Sequence, residues 1–438
     1  MMNSLSFVRF SELNKWDIKR LVQVGFRSHM PIVPLGDYII EQSQKYDISN
    51  AKQQYGILGV NNQVGIFDAY QEYGAKIRQK YKRMENGWIA YNPYRVNVGS
   101  IGIKRSEHTF EYISPAYVVF RCTSGLQPEF LHLLMKTPSF NRIIRDNTTG
   151  SVRQSLSFST LRQLRIPLPT THQQERLISN YYQTISEAKA KEERADQLEN
   201  EIEQYLLNEL GITIVNQRSI SYNTLQIIRF SSLDRWDAYS TDKSFYTVLK
   251  ESKYPITQIG KVFDFTTRTW DKKEMTFNYI EIGAVDPILG IVSSEEIETR
   301  KAPSRATQII RKGDLMLGTT RPYLKKFAIV GDKHDGYVCS SGFQVIASNK
   351  ETNVEFLYEY LRSSIAIAQF EFYMTGALYP AITTKDLKKI LIPLPPIDTQ
   401  NTIVAHISEM KAQIKMLRHQ ASDLRKKALE DFENELFE

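Results

Sequence analysis

The sequence predicts α/β (mixed α+β) globular domains in two tandem copies, separated by a long antiparallel two-helix coiled coil. Three observations predict it. A stretch of the first half returns in the second at a constant offset. Each copy ends on Ile-Pro-Leu-Pro and runs into a long segment with helical periodicity. Inside each copy, short alternating runs are interspersed with helical ones.

The repeat begins near the N-terminus, where VRFSELNKWD (Val8 to Asp17) returns as IRFSSLDRWD (Ile228 to Asp237), 220 residues later. From Gly87 the offset is 226 and holds without gaps. Gly87 meets Gly313, Arg95 meets Arg321, Thr149-Gly150 meets Thr375-Gly376, Ile166 meets Ile392 and Gln174 meets Gln400. The expected divisions are 1–170 (first globular domain), 171–211 (central helix), 212–395 (linker and second globular domain) and 396–438 (C-terminal helix).

In the first copy, Gly87 to Ile103 alternates apolar and polar residues and predicts strand, turn, strand. Ala116 to Cys122 predicts a further strand. Pro128 to Asn147 predicts helix interrupted at Pro138, and Thr148 to Ser157 a loop bending at Gly150. The second copy predicts the same order from Gly313 to Val330, Tyr337 to Ser348, Val354 to Met374 and Thr375 to Thr384. Residues 172–210 contain no Gly or Pro and end on Gly211, a natural C-cap. Their apolar residues (Ile178, Tyr181, Ile185, Ala188, Ala195, Leu198, Ile202, Tyr205) form a narrow coiled-coil seam. At 1.5 Å per residue the helix would span roughly 55–60 Å. The C-terminal seam (Ile403, Ile407, Met410, Ile414, Leu417, Ala421, Leu424, Ala428) is nearly regular 4-3 spacing, and the two helices are expected to pair. Glu192 at a seam position marks the expected weak point.

At 438 residues, 42% hydrophobic and 24% charged, the composition is that of a multidomain globular chain. No run approaches a membrane span and the N-terminus lacks a long apolar signal region, so a cytoplasmic protein is expected. Two cysteines, Cys122 and Cys339, exclude a disulfide framework or a cysteine zinc site. Net charge of +7 permits a polyanionic partner.

The sequence carries no GxxxxGK[ST], GxGxxG or HExxH pattern, so no catalytic, metal or cofactor site is expected. Asn92-Pro93-Tyr94 is similar to the Asn-Pro-Pro-Tyr loop of amino-methyltransferases but lacks the second proline and a glycine-rich cofactor loop before it. Basic clusters are clearer. Lys76 to Arg83 places Arg78, Lys80, Lys82 and Arg83 where successive phosphates could be met, or on a solvated basic helix face. Arg95, with Asn97, and Arg321, followed by Tyr323, Lys325 and Lys326, occupy equivalent strand-to-loop junctions. There arginine suits guanine and asparagine suits adenine, or both arginines hold bonds within the fold. Arg153 and Gln154 after Gly150, and Tyr379 after Gly376, lie on a second loop. Arg268, Lys272 and Lys273 surround Trp270, which suits a DNA surface or a core equally.

Taken together, the duplicated segments, the IPLPTTHQQERLI (Ile166 to Ile178) and IPLPPIDTQNTIV (Ile392 to Val404) motifs and the strand-loop-strand at Gly313 to Val330 resemble the DNA specificity subunit of type I restriction-modification systems. That family's signature carries Glu-Gln where this chain has Gln173-Gln174 and Thr399-Gln400. The resemblance implies a non-catalytic subunit whose two target recognition domains each read half of a bipartite double-stranded DNA site. It also implies two methyltransferase subunits and restriction-translocase subunits as partners. S-adenosylmethionine, ATP and Mg2+ would be held by those partners. The alternatives are a subunit of a type II system, a methyltransferase with its own site, and a coiled-coil scaffold without a DNA role.

Overall fold

The computed structural model describes residues 28–147, 155–213, 244–288, 290–347, 349, 351–376 and 378–437. The paired motifs at Val8 and Ile228, most of the linker, and both Arg153 and Gln154 lie outside them. The chain forms two compact units, Met1–Glu192 with Arg418–Glu438, and Glu193–Leu417.

The first unit opens with β1 (Ile32–Pro34), which pairs antiparallel with β11 (Arg165–Pro167), the first half of the Ile-Pro-Leu-Pro motif. Between them lie two sheets. One orders β2 (Ile39–Glu41), β10 (Val118–Cys122), β7 (Ile89–Tyr91) and β8 (Ile101–Ile103) as β2-β10-β7-β8. The other contains β3 (Lys45–Tyr46), β4 (Gln54–Asn61), β5 (Gly65–Tyr73), β6 (Tyr81–Arg83) and β9 (Tyr112–Ile113), ordered β3-β6-β9-β4-β5 with β4 parallel to β9. The sheets approach closely at Gly102, where a Cβ would stand 2.3 Å from the Ile66 backbone nitrogen; only glycine fits there. Helices α1 (Pro128–Leu134), α2 (Pro138–Asn147) and α3 (Phe158–Gln163) cover the first sheet. Pro138 interrupts the helical stretch, as expected from its missing N–H.

The second unit repeats this plan. Helices α5 (Ser244–Leu249) and α6 (Ile259–Val262) flank β12 (Ile256–Gln258), which pairs with β23 (Leu391–Pro393). Its first sheet is β13 (Asp264–Thr266), β22 (Phe343–Ala347), β19 (Leu315–Gly318) and β20 (Phe327–Ile329), in the order β13-β22-β19-β20. Its second is β17 (Glu295–Glu298), β14 (Thr276–Ile280), β21 (Val338–Ser340) and β18 (Ala306–Ile309), again with one parallel pair, β14 and β21. Helices α7 (Val354–Leu361), α8 (Ser364–Tyr373) and α9 (Thr384–Leu387) follow.

Register shows how close the duplication is. Ile89 pairs with Ile103 and Leu315 with Ile329, each shifted by 226 (315 − 89). Lys82 pairs with Ile113 and Gln308 with Cys339, also by 226 (308 − 82), so the constant offset begins before Gly87. Earlier strands carry other offsets: Ile32 to Ile256 is 224 and Ile57 to Tyr279 is 222. Insertions and deletions therefore concentrate in the earlier part of each copy. A further difference lies in the connection from β4 to β5 in the first unit and from β14 to β17 in the second. In the first unit it is a tight turn over Asn61–Gly65. In the second it is an excursion with its own hairpin, β15 (Val285–Asp286) with β16 (Gly290–Ile291).

The long helices are α4 (Thr171–Leu210) and α10 (Ile397–Asn434), and each unit holds part of both. In the first unit Arg176 pairs with Glu435, and Lys191 donates to Gln420 Oε1. Numbers rise along one helix as they fall along the other, so the pairing is antiparallel. In the second unit Ala195, Leu198, Met410 and Ile414 form a buried cluster and Tyr205 packs on His406. The expected seam residues are buried or half-buried throughout, and Gly211 closes α4 at φ +72°. Glu192 is bridged by Arg425, which donates from both Nε and Nη2, so the expected weak point carries an ion pair.

A buried glutamine ties each helix start to its domain. Gln174 Nε2 donates to the carbonyls of Gly125 (2.8 Å) and Pro169 (2.9 Å), and its Oε1 accepts from the Gln127 amide (2.8 Å). Gln400 repeats this with Glu351 (3.3 Å), Pro395 (2.8 Å) and Asn353 (2.8 Å). A glutamate near the far end of the other long helix meets each domain. Glu433 accepts from Ser139 N in the first unit, and Glu203 from Ser364 N in the second.

Candidate nucleic-acid interface

In the first unit, the basic stretch straddles a 3-10 turn (Gly74–Lys76) and β6. This geometry sorts its cations. Lys82 is only 6% exposed; its ammonium donates to the Tyr117 carbonyl at 2.8 Å, and burial pulls its pKa below the ordinary lysine value. Arg83 donates to Glu111 at 3.1 Å and Lys76 lies 3.4 Å from Glu72. Arg78 and Lys80 are exposed, and neither forms an ion pair among the described residues. Strand pairing sets Lys45 opposite Lys82, adding an exposed cation to the same edge.

Arg95 is exposed at the start of the 3-10 turn Val96–Val98 between β7 and β8. Tyr94 and Val98 are exposed beside it. The backbone of Asn97 lies in that turn. Asn92 Oδ1 accepts from Tyr94 N at 3.0 Å, an Asx turn that gives Asn92-Pro93-Tyr94 a structural task. Leu156 N donates to Pro93 O at 3.0 Å, so Leu156 lies beside the first loop.

In the second unit, Arg268 grips Asp314 through Nη1 and Nη2, the Nη2 bond being 3.1 Å. Asp314 is 3% exposed, so this arginine is a partner for a buried carboxylate. Trp270 is core, packed against Phe277 at 4.1 Å between ring centroids. Lys272 is exposed, with its ammonium 5.9 Å from the Trp270 ring centroid. Lys273 pairs with its neighbour Asp271 at 2.9 Å.

The loop between β19 and β20 holds a 3-10 turn, Pro322–Leu324, flanked by Arg321 (φ 50°) and Lys325 (φ 55°). With Lys272 (φ 59°), these are the non-glycine residues at positive φ among the described residues. All three are cations, and the left-handed conformation costs each roughly 1–2 kcal/mol. Tyr323 is half-buried, Lys326 Nζ donates to Ile282 O at 3.3 Å, and burial lowers the pKa of Lys325. Arg321 is brought together with Tyr379: its guanidinium lies 4.7 Å from that ring's centroid, and its Nη2 donates to Leu378 O at 2.9 Å. The two loops are also joined through backbone, Arg321 N to Pro380 O at 2.7 Å and Ile382 N to Thr319 O at 2.9 Å. Among the described residues no three His, Cys, Asp or Glu side chains converge as metal ligands. No helix there is long and apolar enough to cross a membrane.

Residues 251–424 match the family described as the type I restriction modification DNA specificity domain. The resemblance read from the sequence is borne out. Over 85 residues, this chain is 35% identical to a putative type I restriction enzyme MjaX specificity subunit of Methanocaldococcus jannaschii, 19% of this chain and 20% of that protein. Over 117 residues it is 27% identical to the HindI specificity subunit of Haemophilus influenzae, 26% of each. The matched stretches thus span about a fifth and a quarter of those relatives. Among solved structures, a chain from the type I R-M system, described for complex assembly and conformational transition, superposes with a TM-score of 0.59. The match covers 93% of this chain and 98% of that one at 14% identity, a likeness of fold.

Within residues 251–424, the residue that sequence reading missed is Leu378, 81% exposed beside Tyr379, itself 70% exposed. A signal was available: an apolar pair between Gly376 and Pro380 in a loop with no core to fill. In the first unit Lys45 was missed because it is distant in sequence from the basic stretch it joins.

Proposed function

We propose that this chain is the DNA-reading subunit of a restriction-modification complex in the cytoplasm, with each globular unit reading one half of a bipartite double-stranded site. The long helices act as the spacer that fixes half-site separation. Two methyltransferase subunits dock on the chain, and restriction-translocase subunits join them. The chain itself is non-catalytic, and S-adenosylmethionine, ATP and Mg2+ are bound by the partners.

The observation that carries this reading is a recognition fold present twice, with strand order and register kept while loops and surface cations differ. A single domain discriminates by only about 1–3 kcal/mol per base pair. Two domains joined by a stiff connection bind at high effective concentration when their spacing matches the DNA. In this proposal Arg78, Lys80 and Arg95 contact DNA from the first unit. Lys272 and Tyr379, the latter held by Arg321, do so from the second. Lys82 and Arg268 hold the fold.

The test is incubation of the purified chain with duplex DNA and labelled methyl donor, alone and with a methyltransferase subunit. Salt-sensitive binding by the chain alone, with methyl transfer only in the mixture, is expected. Methyl transfer by the chain alone, or binding indifferent to salt, would contradict the proposal.

A further inference from the structure

We propose that the exposed tip Leu378–Tyr379 is the base-contacting element of the second unit, and that Arg321 is its positioning residue. This deepens the DNA-reading proposal and rests on it.

Arg321 is poorly placed to reach a base edge itself. Its Nη2 is engaged by Leu378 O, its Nε is buried without a hydrogen-bond partner, and its guanidinium covers the Tyr379 ring. The guanidinium is thus turned onto the tip that it carries. The backbone is equally committed: Arg321 N donates to Pro380 O, and Thr375 and Ala381 exchange two bonds of 2.8 Å that close the loop at its neck. The tip is therefore fixed from below by a cation–π contact, a side-chain hydrogen bond and a closed neck. What faces outward is an apolar leucine, Leu378 at 81% exposure, beside the aromatic ring and hydroxyl of Tyr379 at 70%. An isolated leucine on a protein surface is ordinary. A leucine and a tyrosine at the tip of a braced loop, held by an arginine kept in left-handed backbone, make a shaped apolar probe. In the major groove the apolar feature that distinguishes bases is the thymine 5-methyl group. The chemistry assigned to the tip is contact with that methyl.

The experiment selects binding sites for the full chain from randomised duplex DNA, then replaces each thymine of the selected site by deoxyuridine. For the wild type, one or two adjacent positions in a single half-site should lose about fourfold in affinity without the methyl, the effect of burying one methyl-sized group. Leu378→Ala should remove that sensitivity and relax preference at the same positions, with the other half-site unchanged. Arg321→Ala should relax those same positions. Arg321→Lys, which keeps the charge but not the planar stack, should relax them partly; circular dichroism and thermal unfolding verify folding of each variant. The inference is overturned if Leu378→Ala leaves preference and deoxyuridine sensitivity unchanged, or if Arg321→Ala alone changes a guanine position. A wild-type chain without sequence preference would instead defeat the underlying DNA-reading proposal.

Discussion

Replacing Gln400 with alanine should destabilise the second unit by about 3 kcal/mol. The side chain is fully buried and makes three hydrogen bonds, to Pro395 O (2.8 Å), Glu351 O (3.3 Å) and from Asn353 N (2.8 Å). Each such bond contributes about 1 kcal/mol net, and a stranded buried partner costs 1–3 kcal/mol. Alanine strands three backbone groups together, one of them beside the Asn353 cap of α7. Because the chain has two units, a global unfolding curve registers the loss without locating it. Amide hydrogen exchange localises the effect: Asn353 N–H should exchange about a hundredfold faster, with the first α7 amides following. Gln400→Glu keeps an acceptor for Asn353 N but turns a second oxygen toward two carbonyls, so it should be destabilised most near neutral pH and recover as acid protonates it. A loss below about 1 kcal/mol for Gln400→Ala would refute the clamp. A similar loss is expected for Gln174→Ala in the first unit.

Other predictions follow from burial and charge. Burial, with Lys136 and Arg105 nearby, holds His132 well below the ordinary histidine value of 6.5, so it stays neutral in the fold. The unfolded chain then takes up the extra proton; stability is present above pH 6.5 and falls as pH drops below it, by at most about 1.4 kcal/mol per pH unit. His132→Phe should flatten that slope in urea titrations across pH 5–7. Arg268→Ala leaves the Asp314 carboxylate buried without its guanidinium and should cost about 2–3 kcal/mol, the arginine being partly exposed; a thermal melt with no shift would contradict it. Arg78→Ala with Lys80→Ala should weaken DNA binding uniformly across sequences and reduce the log–log salt slope by about 2, whereas Lys82→Met should leave that slope unchanged.

Much of the architecture was legible because it depends on periodicity and repetition. The 226-residue offset announced two copies of one fold, and the apolar stripes of the long helices named nearly every residue that the pairing buries. Gly211 and Pro138 acted as local geometry requires. The second sheet was barely legible. Its strands are short and some pairings are distant, such as β3 with β6, and nothing local fixes which strands meet. Cation roles were least legible. Lys80 and Lys82 are two residues apart and equivalent by charge, yet one faces solvent while the other donates to a carbonyl 35 residues away in sequence. Arg268 illustrates the same point, since its partner Asp314 is remote in sequence.

If two readers are separated by a spacer, lengthening the spacer moves the half-sites apart without changing either. A heptad inserted into both long helices, within 188–195 and in the antiparallel partner within 414–421, adds about 10.5 Å of helix. Against 3.4 Å per base pair, that is about three base pairs. Site selection, or adenine-methylation mapping with the partner subunits present, should return two half-sites unchanged in sequence and about three base pairs further apart than in the wild type. A contiguous site, or two half-sites whose spacing ignores the insertion in a chain that still folds, would mean that the long helices do not set half-site separation.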